Sequence, residues 1–369
     1  MRRRCGRTCA GLPLALALYT PALAATLPGA PATAGSGPRQ PPDPAAARAY
    51  VESIRPAPAL QAFLDHAVAD LENTDPALRR ARPRVAVIDL TGAVPLLAQV
   101  RGDEKVYPAS TVKFVYLMAA YAWQERGRLT IDPELDTELS QMIRESSNGA
   151  TQKVFARLTD TEPGPELDAA AYAQFRDRRL EVERWLQTLG IHDLHAVSPT
   201  YDGDGDLFGR DRQFLRDRSV KGGLEAPSRP LGSGRATGGD EFPNRQAMTA
   251  SGTARLLALL ATDRALTATD SATVRQRMKR DVREQPHLVH RIAGGAAAIP
   301  GAEAYSKSGT WGPIYSDAGI VRDASGKEFV IAVFTESSPP YRGEAIAQLT
   351  RRTAEHIFGA GAAPNGGPT

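Results

Sequence analysis

The stretch Tyr107–Phe114, with the sequence YPASTVKF, decides how the rest of this chain is interpreted. Lys113 is the only charged residue from Val106 to Gln124, in a mostly apolar run long enough for a buried helix. A lone ammonium there must find polar partners, because burial disfavours the charged form. Ser110 lies three residues earlier, so a helix that begins near Ala109 places both side chains on one face. We therefore predict a nucleophilic serine beside a candidate base, at a helix N-terminus that favours developing negative charge.

The composition is that of a globular protein with a core. The 369 residues are 42% hydrophobic and 24% charged, which is enough for one large core or two modest ones. The formal net charge is only +3, and Lys and Arg are spread along the whole chain. Nucleic-acid binding requires a concentrated basic face. We predict no nucleic-acid partner.

The N-terminus has the features of an export signal. A basic head, Arg2–Arg4, precedes an apolar run from Ala10 to Leu23, and small residues follow at the cleavage position. The alternative, a membrane anchor, needs a run of roughly 20 residues. We predict a signal peptide at residues 1–24 and a periplasmic or secreted protein with no membrane span in its mature chain. Cys5 and Cys9 both lie in the signal, so we predict no disulfide and no thiolate metal site.

The mature chain is predicted to be one catalytic domain, residues 48–360, between a Pro/Ala-rich linker (25–47) and a flexible tail (361–369). Strands are predicted near both ends, at Arg84–Leu90 and in a hairpin from Asp317 to Phe334. Helices are predicted between them, and a long irregular region covers residues 191–244. We predict an α+β fold in which both chain ends form one antiparallel sheet flanked by helices, with an inserted all-helical lobe.

Further helices are predicted from the apolar spacing. They cover Val51–Leu71, the Ser110 stretch as far as Gly127, Pro133–Glu145, Glu181–Leu189, Ala247–Leu260, Ser271–Arg280 and Arg342–Phe358.

Two further short motifs bear on the Ser110 hypothesis. Ser146-Ser147-Asn148 follows the predicted helix Pro133–Glu145, and taken alone it is explained by helix capping. Lys307-Ser308-Gly309-Thr310 precedes the hairpin, and taken alone it fits a solvated strand end with a glycine bulge. A single S-x-x-K is also weak, because one arises by chance roughly once per few hundred residues.

Together and in this order the motifs form S-x-x-K, S-x-N and K-[ST]-G, and the chain from about Val51 to Phe358 resembles the class A β-lactamases and penicillin-binding proteins. The resemblance implies that Ser110 attacks a carbonyl, with Lys113 as base or proton relay. It implies that Ser146 and Lys307 pass a proton to the leaving nitrogen and hold a substrate carboxylate.

The resemblance also assigns the substrate-binding residues. Asn148 would bind a substrate amide and steady Lys113, and Ser308 would contact the carboxylate. Gly309 belongs to the same substrate-binding strand, and the backbone N–H groups of Ser110 and Thr310 would form the oxyanion hole. No metal or other cofactor is implied.

The sequence departs from the class A pattern in the deacylating group. No E-x-x-x-N occurs in residues 191–244, so no residue is predicted to activate the deacylating water. Asp240 with Asn244 comes closest, but aspartate is one methylene shorter than glutamate. The acids Glu225, Asp202, Asp204, Asp206 and Glu241 lack an asparagine at that spacing. The interval from Ser110 to Ser146 is shorter than is typical of the family, and that from Ser146 to Lys307 is longer.

The Asp202–Asp206 stretch, DGDGD, is also compared with a calcium loop. Its sixth position is Leu207 rather than glycine, and its twelfth is Gln213 rather than glutamate, so we expect a solvated turn. The six histidines make no recognised metal spacing.

The function predicted first is a secreted serine hydrolase that hydrolyses the β-lactam amide through an acyl-enzyme at Ser110, with a role in antibiotic resistance. One alternative is a D-Ala-D-Ala carboxypeptidase, peptidoglycan peptidase or esterase. The other is a penicillin-binding or sensor protein that is acylated without turnover. The expected partner is a small-molecule β-lactam or a cell-wall peptide, and the protein is expected to be a monomer.

Overall fold

The computed structural model describes residues 40–74, 76–201, 207–224, 242–312, 314–335 and 343–359. The predicted signal peptide, most of the predicted linker, the Asp202–Asp206 stretch and the predicted tail lie outside the described residues. So do Glu225, Asp240 and Glu241. Within the described part of the chain, no helix combines the length and apolarity that crossing a membrane requires.

A seven-stranded sheet forms the centre of the fold, in the order β1-β3-β2-β9-β8-β7-β6. Its strands are β1 (Arg55–Pro56), β2 (Arg84–Asp89), β3 (Leu96–Val100), β6 (Lys279–Arg280), β7 (Glu303–Trp311), β8 (Ile314–Arg322) and β9 (Glu328–Thr335); β4 (Leu194–His195) and β5 (Ala247–Met248) pair separately. Neighbouring strands are antiparallel except β1 and β3. Arg84 of β2 lies opposite Phe334 of β9, which confirms that the two chain ends meet in one sheet.

The helices lie on both faces of this sheet and in the lobe between its two halves. They are α1 (Pro44–Ser53), α2 (Pro58–Thr74), α3 (Pro76–Ala81), α4 (Lys113–Glu125), α5 (Pro133–Ser140), α6 (Asn148–Thr159), α7 (Ala169–Arg179), α8 (Glu181–Thr188), α9 (Gly209–Arg216), α10 (Ala250–Ala261), α11 (Ala268–Met278), α12 (Ile292–Ala297) and α13 (Glu344–Phe358). Short 3-10 turns cover Ala109–Val112 and Pro286–Leu288, and a π-helical turn covers Gln141–Glu145. The predicted α+β fold with an inserted helical lobe is confirmed.

Strand β2 shows why the sheet has a core on each face. Successive side chains of a strand point to opposite faces. Val85 and Val87 belong to the cluster formed with α2, α12 and α13, whereas Ala86 and Ile88 belong to the cluster formed with α4 and α10. All four are fully buried. This second cluster continues into the helical lobe, so the sheet and the lobe share packed side chains around the Ser110 stretch.

Some predicted boundaries are wrong. The predicted helix Val51–Leu71 is two helices, because Pro56 and Pro58 interrupt the backbone hydrogen bonding and the intervening residues form β1. Helix α1 begins at Pro44, inside the predicted linker, because the Asp43 carboxylate accepts a hydrogen bond from the Ala45 N–H group and caps the helix.

Other helices were not predicted at all. Helix α9 lies in the region predicted to be irregular, and α7 and α12 were also missed. Helix α7 is rich in Ala and Arg, and α12 is a six-residue Ala/Gly segment, so neither shows a clear apolar stripe.

Candidate active site

Ser110 lies in the 3-10 turn Ala109–Val112, rather than in the α-helix predicted for it, and α4 begins at Lys113. Residues three apart are eclipsed in a 3-10 turn, so Ser110 and Lys113 still lie on one side. Ala109 has a φ of 49°, an uncommon conformation for a residue with a side chain. Such strain concentrates at functional sites. The Ser110 side chain is half-buried, whereas Lys113 is fully buried.

Lys113 is bonded to the second motif. Its Nζ donates to the Asn148 Oδ1 at 2.6 Å and to the Ser146 carbonyl oxygen at 2.5 Å. The Ser146 Oγ lies 3.4 Å from the same Nζ. The Nζ of Lys113 is thereby held in a fixed position beside the Ser110 turn.

Helix capping explains only one residue of Ser146-Ser147-Asn148. Ser147 Oγ accepts a hydrogen bond from the Ala150 N–H group at 3.1 Å and caps α6. Ser146 is in the left-handed region, with φ 58°, at the end of the π-helical turn. A π-helical turn often marks a functional site. The Ser146 and Asn148 side chains face the lysines instead of the backbone of their own helix.

Lys307 approaches the same serine from the sheet. Its Nζ donates to Ser146 Oγ at 2.9 Å and to the Ser308 carbonyl oxygen at 2.6 Å. Burial lowers the pKa of this amine well below its usual value, and the nearby cations Lys113 and Arg280 lower it further. A lysine with a depressed pKa gives up its proton readily. The Ser146 hydroxyl thus lies between two buried lysines and can relay a proton.

Gly309 allows β7 to lie against the Ser110 turn. A Cβ at this position would lie 2.6 Å from the Pro108 carbonyl oxygen and 2.9 Å from the Thr111 nitrogen. On the neighbouring strand, Ser316 Oγ is hydrogen-bonded to Thr111 Oγ1 and donates to the Pro108 carbonyl oxygen, both at 2.9 Å. Only glycine fits so close an approach. The contact brings β7 and its exposed Thr310 to the turn that carries Ser110.

Sequence reasoning missed Arg291, which immediately precedes α12. Its guanidinium is 6% exposed, lies over the Tyr315 ring at 4.9 Å, and donates from Nη2 to Thr310 Oγ1 at 2.9 Å. No motif marks this arginine. The hairpin register pairs Thr310 with Tyr315, the two residues that Arg291 contacts, but the sequence alone does not connect Arg291 with this pair. The arrangement adds a cation at the outer edge of the cleft, next to the predicted carboxylate-binding residues.

The long loop reaches the site through Thr200 and Tyr201. The Thr200 hydroxyl donates to Asn148 Oδ1 at 2.8 Å, and Asn148 Nδ2 donates to the Tyr201 carbonyl oxygen at 3.3 Å. The Tyr201 hydroxyl donates to Asp211 Oδ1 at 3.0 Å, and Asp211 forms a buried ion pair with Arg179. The loop is therefore anchored in the core at one end and bonded to Asn148 at the other.

The described acids of residues 191–244 all take part in structural contacts, and Asp193 accepts a hydrogen bond from the Thr249 hydroxyl. Asp211 is held by Arg179 and Tyr201, while Asp217 accepts a hydrogen bond from the Tyr172 hydroxyl at 2.8 Å. Asn244, the asparagine of the closest E-x-x-x-N variant, is fully buried, and its Nδ2 donates to the Phe214 carbonyl oxygen at 2.8 Å. Within the described ranges, no group of three or more His, Cys, Asp or Glu residues could hold a metal ion.

Comparisons with known proteins agree with this architecture. A family model described as "Beta-lactamase enzyme family" matches residues 179–357, a segment that contains Lys307 but not Ser110. No curated protein matches the chain. The chain is similar to the solved structure of a β-lactamase from Sphaerobacter thermophilus DSM 20745, with 17% identity, a TM-score of 0.52, and coverage of 80% of this chain and 97% of that chain.

Two other solved structures are similar to the same extent. PBP-A is 18% identical with a TM-score of 0.53, covering 83% of this chain and 98% of that chain. A mutant of the class A β-lactamase of the last common ancestor of Gram-negative bacteria is 17% identical with a TM-score of 0.54, covering 80% of this chain and 99% of that chain. At such identities the likeness shows the fold alone.

The fold is therefore that of the class A β-lactamases and PBP-A. The resemblance to the β-lactamase and penicillin-binding protein superfamily predicted from the motifs is confirmed, at low sequence identity.

Proposed function

We propose that the protein is a secreted serine hydrolase that forms an acyl-enzyme at Ser110, with the β-lactam amide as its first substrate class. One observation carries the proposal. The Ser146 hydroxyl lies between two buried lysines, 3.4 Å from Lys113 Nζ and 2.9 Å from Lys307 Nζ, beside the turn that carries Ser110. Acyl transfer requires a hydroxyl nucleophile, a neighbouring amine that acts as a base, and a group that relays a proton.

The steps follow from these positions. Ser110 Oγ attacks the amide carbonyl carbon, and its proton passes to Lys113 in its neutral amine form, which becomes an ammonium. The oxyanion is stabilised by the backbone N–H groups of Ser110 and Thr310, which belong to the two segments that Gly309 brings together. As the C–N bond breaks, Ser146 gives its proton to the leaving nitrogen. Lys307 replaces that proton, consistent with its depressed pKa.

The cations at the sheet edge favour a substrate that carries a carboxylate. Lys307 Nζ donates to the Ser308 carbonyl oxygen of β7, and Arg291 Nη2 donates to Thr310 Oγ1 further along the same strand. A guanidinium can bind a carboxylate through two parallel hydrogen bonds. The proposal assigns to Asn148 the binding of the acyl-side amide of the same substrate. These features serve a β-lactam and a cell-wall peptide with a C-terminal carboxylate equally.

A second function, penicillin binding without turnover, is favoured by a different observation. The acids among the described residues of 191–244 are Asp193, Asp211 and Asp217. They are bonded to Thr249, Arg179 and Tyr172 in turn and do not serve as general bases in these contacts. One of the similar structures is a PBP-A mutant in an acyl-enzyme complex with penicillin G. An acyl-enzyme in this chain would persist if no other group activated water.

Fluorescent penicillin, a chromogenic β-lactam and a D-Ala-D-Ala peptide together test the proposal. Intact-protein mass spectrometry should show one adduct that Ser110→Ala abolishes. Steady β-lactam turnover supports the first function, a lasting adduct without turnover supports the second, and release of D-Ala supports the peptidase alternative.

Lys113→Ala is the matched variant, three residues after Ser110 at the start of α4. It should abolish acylation while circular dichroism shows an intact fold, because the amine accepts the Ser110 proton. An absence of any adduct on wild-type Ser110 would refute the nucleophile, and undiminished acylation in Lys113→Ala would remove Lys113 from the reaction.

A further inference from the structure

Arg280 is a buried cation that connects the two walls of the cleft. It lies on β6, the short edge strand that pairs with β7 at Ala304 and Tyr305, and its side chain is only 8% exposed. Its Nε donates to the Ser306 carbonyl oxygen at 3.0 Å, and its Nη2 donates to the Ile143 carbonyl oxygen at 2.6 Å. One planar guanidinium therefore bonds the strand that carries Lys307 and the π-helical turn that ends at Ser146.

Both carbonyl groups belong to residues close in sequence to Lys307 or Ser146. Ser306 immediately precedes Lys307 in β7. Ile143 lies in the π-helical turn three residues before Ser146, where a helix end leaves carbonyl oxygens without intrahelical donors. The Lys307–Ser146 contact of 2.9 Å closes the other side of the same ring of interactions. Within this ring, the spacing of the two catalytic groups depends on a side chain outside the motifs.

We propose that Arg280 is a positioning residue that sets the distance between Lys307 and Ser146 and contributes a fixed charge beside Lys307. This deepens the proposed function and rests on it for the role of Lys307. The fork of an arginine is suited to the task, because it donates to two acceptors in a rigid geometry, whereas a lysine ammonium is a point charge on a flexible stem.

The effect of the Arg280 charge on the pKa of Lys307 has a sign that can be measured. The cations Lys113, Arg280 and Arg291 lower the pKa of Lys307, after burial itself, and the buried carboxyl group of Asp317 opposes them. Removal of the Arg280 charge should therefore raise the pKa of Lys307. Substitution by lysine keeps the charge and should leave that pKa near its wild-type position.

Arg280→Lys and Arg280→Met separate the geometric role from the electrostatic one. Both variants should acylate about tenfold to a hundredfold more slowly than wild type, because a misplacement near 1 Å has effects of that size. The Lys307 titration, followed by NMR of 13C-labelled lysine, should move to higher pH only in Arg280→Met. Amide exchange in residues 141–148 should increase in both.

Arg84→Met is the matched control. Arg84 is also buried, at 6% exposure, and bonds Glu104 and the Arg82 carbonyl oxygen far from the cleft motifs. It should lower the melting temperature without changing acylation, the Lys307 titration or exchange in 141–148. If Arg280→Met does not fold, Arg280→Lys still tests the geometric role through acylation and exchange.

The outcomes distinguish this proposal from the proposed function. Wild-type protein that is not acylated while the Lys307 titration still shifts in Arg280→Met refutes the hydrolase and leaves the positioning role standing. Arg280 variants that match Arg84→Met in acylation, titration and exchange overturn the positioning role.

Discussion

Replacement of Gly309 by alanine should slow acylation of Ser110 by about a hundredfold, because β7 must then move away from the Ser110 turn. The added Cβ would lie 2.6 Å from the Pro108 carbonyl oxygen, 2.9 Å from the Thr111 nitrogen and 2.5 Å from Ser316 Oγ, whereas ordinary contact begins at 3.4 Å. Two of these atoms are backbone, so rotation of a side chain cannot relieve the clash.

The magnitude follows from the displacement. Restoring ordinary contact requires roughly 1 Å of separation between β7 and the turn, since packed interiors have no free space to absorb it. The same movement separates the N–H groups of Ser110 and Thr310, which under the proposed mechanism bind the developing oxyanion together. A misplacement of about 1 Å costs about a hundredfold in rate, equivalent to ~2.7 kcal/mol of transition-state stabilisation.

The measurement is the second-order rate of labelling by fluorescent penicillin, with thermal unfolding recorded on the same samples. Gly92→Ala is the control, because its Cβ would have a single neighbour, the Val94 carbonyl oxygen at 3.8 Å. It should be labelled at the wild-type rate. A folded Gly309→Ala protein that is labelled within threefold of wild type would show that this close approach does not set the geometry of the oxyanion site.

Two further substitutions test other contacts. Arg291→Gln should weaken binding of a carboxylate-bearing β-lactam about tenfold or more while the limiting acylation rate changes little, because the guanidinium contacts Thr310 at the substrate-binding edge; an unchanged apparent affinity in the labelling assay would exclude that role. Arg179→Met should lower the free energy of unfolding in urea by about 3–5 kcal/mol, because it leaves Asp211 buried without its partner. Adding Asp211→Leu should recover much of that loss, and a double variant no more stable than the single one would contradict the explanation.

The sequence allowed the main parts of the fold to be predicted because their signals are local. The apolar run of β2 and the hairpin β8–β9 can be recognised within a few residues, and the Lys307 motif lies on a strand as predicted. The 3-10 turn at Ser110 and the π-helical turn before Ser146 could not be predicted, since both differ from an α-helix only in which carbonyl each N–H group selects. Over segments of four and five residues, apolar spacing cannot distinguish the three helix types.

Arg280 and Arg291 could not be assigned to the site from the sequence. Each contacts the site through a side chain that bonds a segment distant in the chain; 137 residues separate Arg280 from Ile143. No fixed spacing relates such residues to a motif, and a lone arginine is most often a surface residue. Their burial is what distinguishes them, and burial depends on how β6 and the segment before α12 pack against β7.

The arrangement of the site also links the long loop to Lys113, the proposed base. Asn148 Oδ1 accepts hydrogen bonds both from Lys113 Nζ at 2.6 Å and from the Thr200 hydroxyl at 2.8 Å, so one amide oxygen holds the base and the start of the loop together. The loop is fixed in turn by Tyr201, whose hydroxyl reaches the buried Asp211. A substitution that moves Thr200 therefore alters the surroundings of Lys113, whatever its effect on the activation of a deacylating water. It follows that loop substitutions designed to speed deacylation must preserve the Thr200 contact, because otherwise they slow the acylation step that supplies the acyl-enzyme.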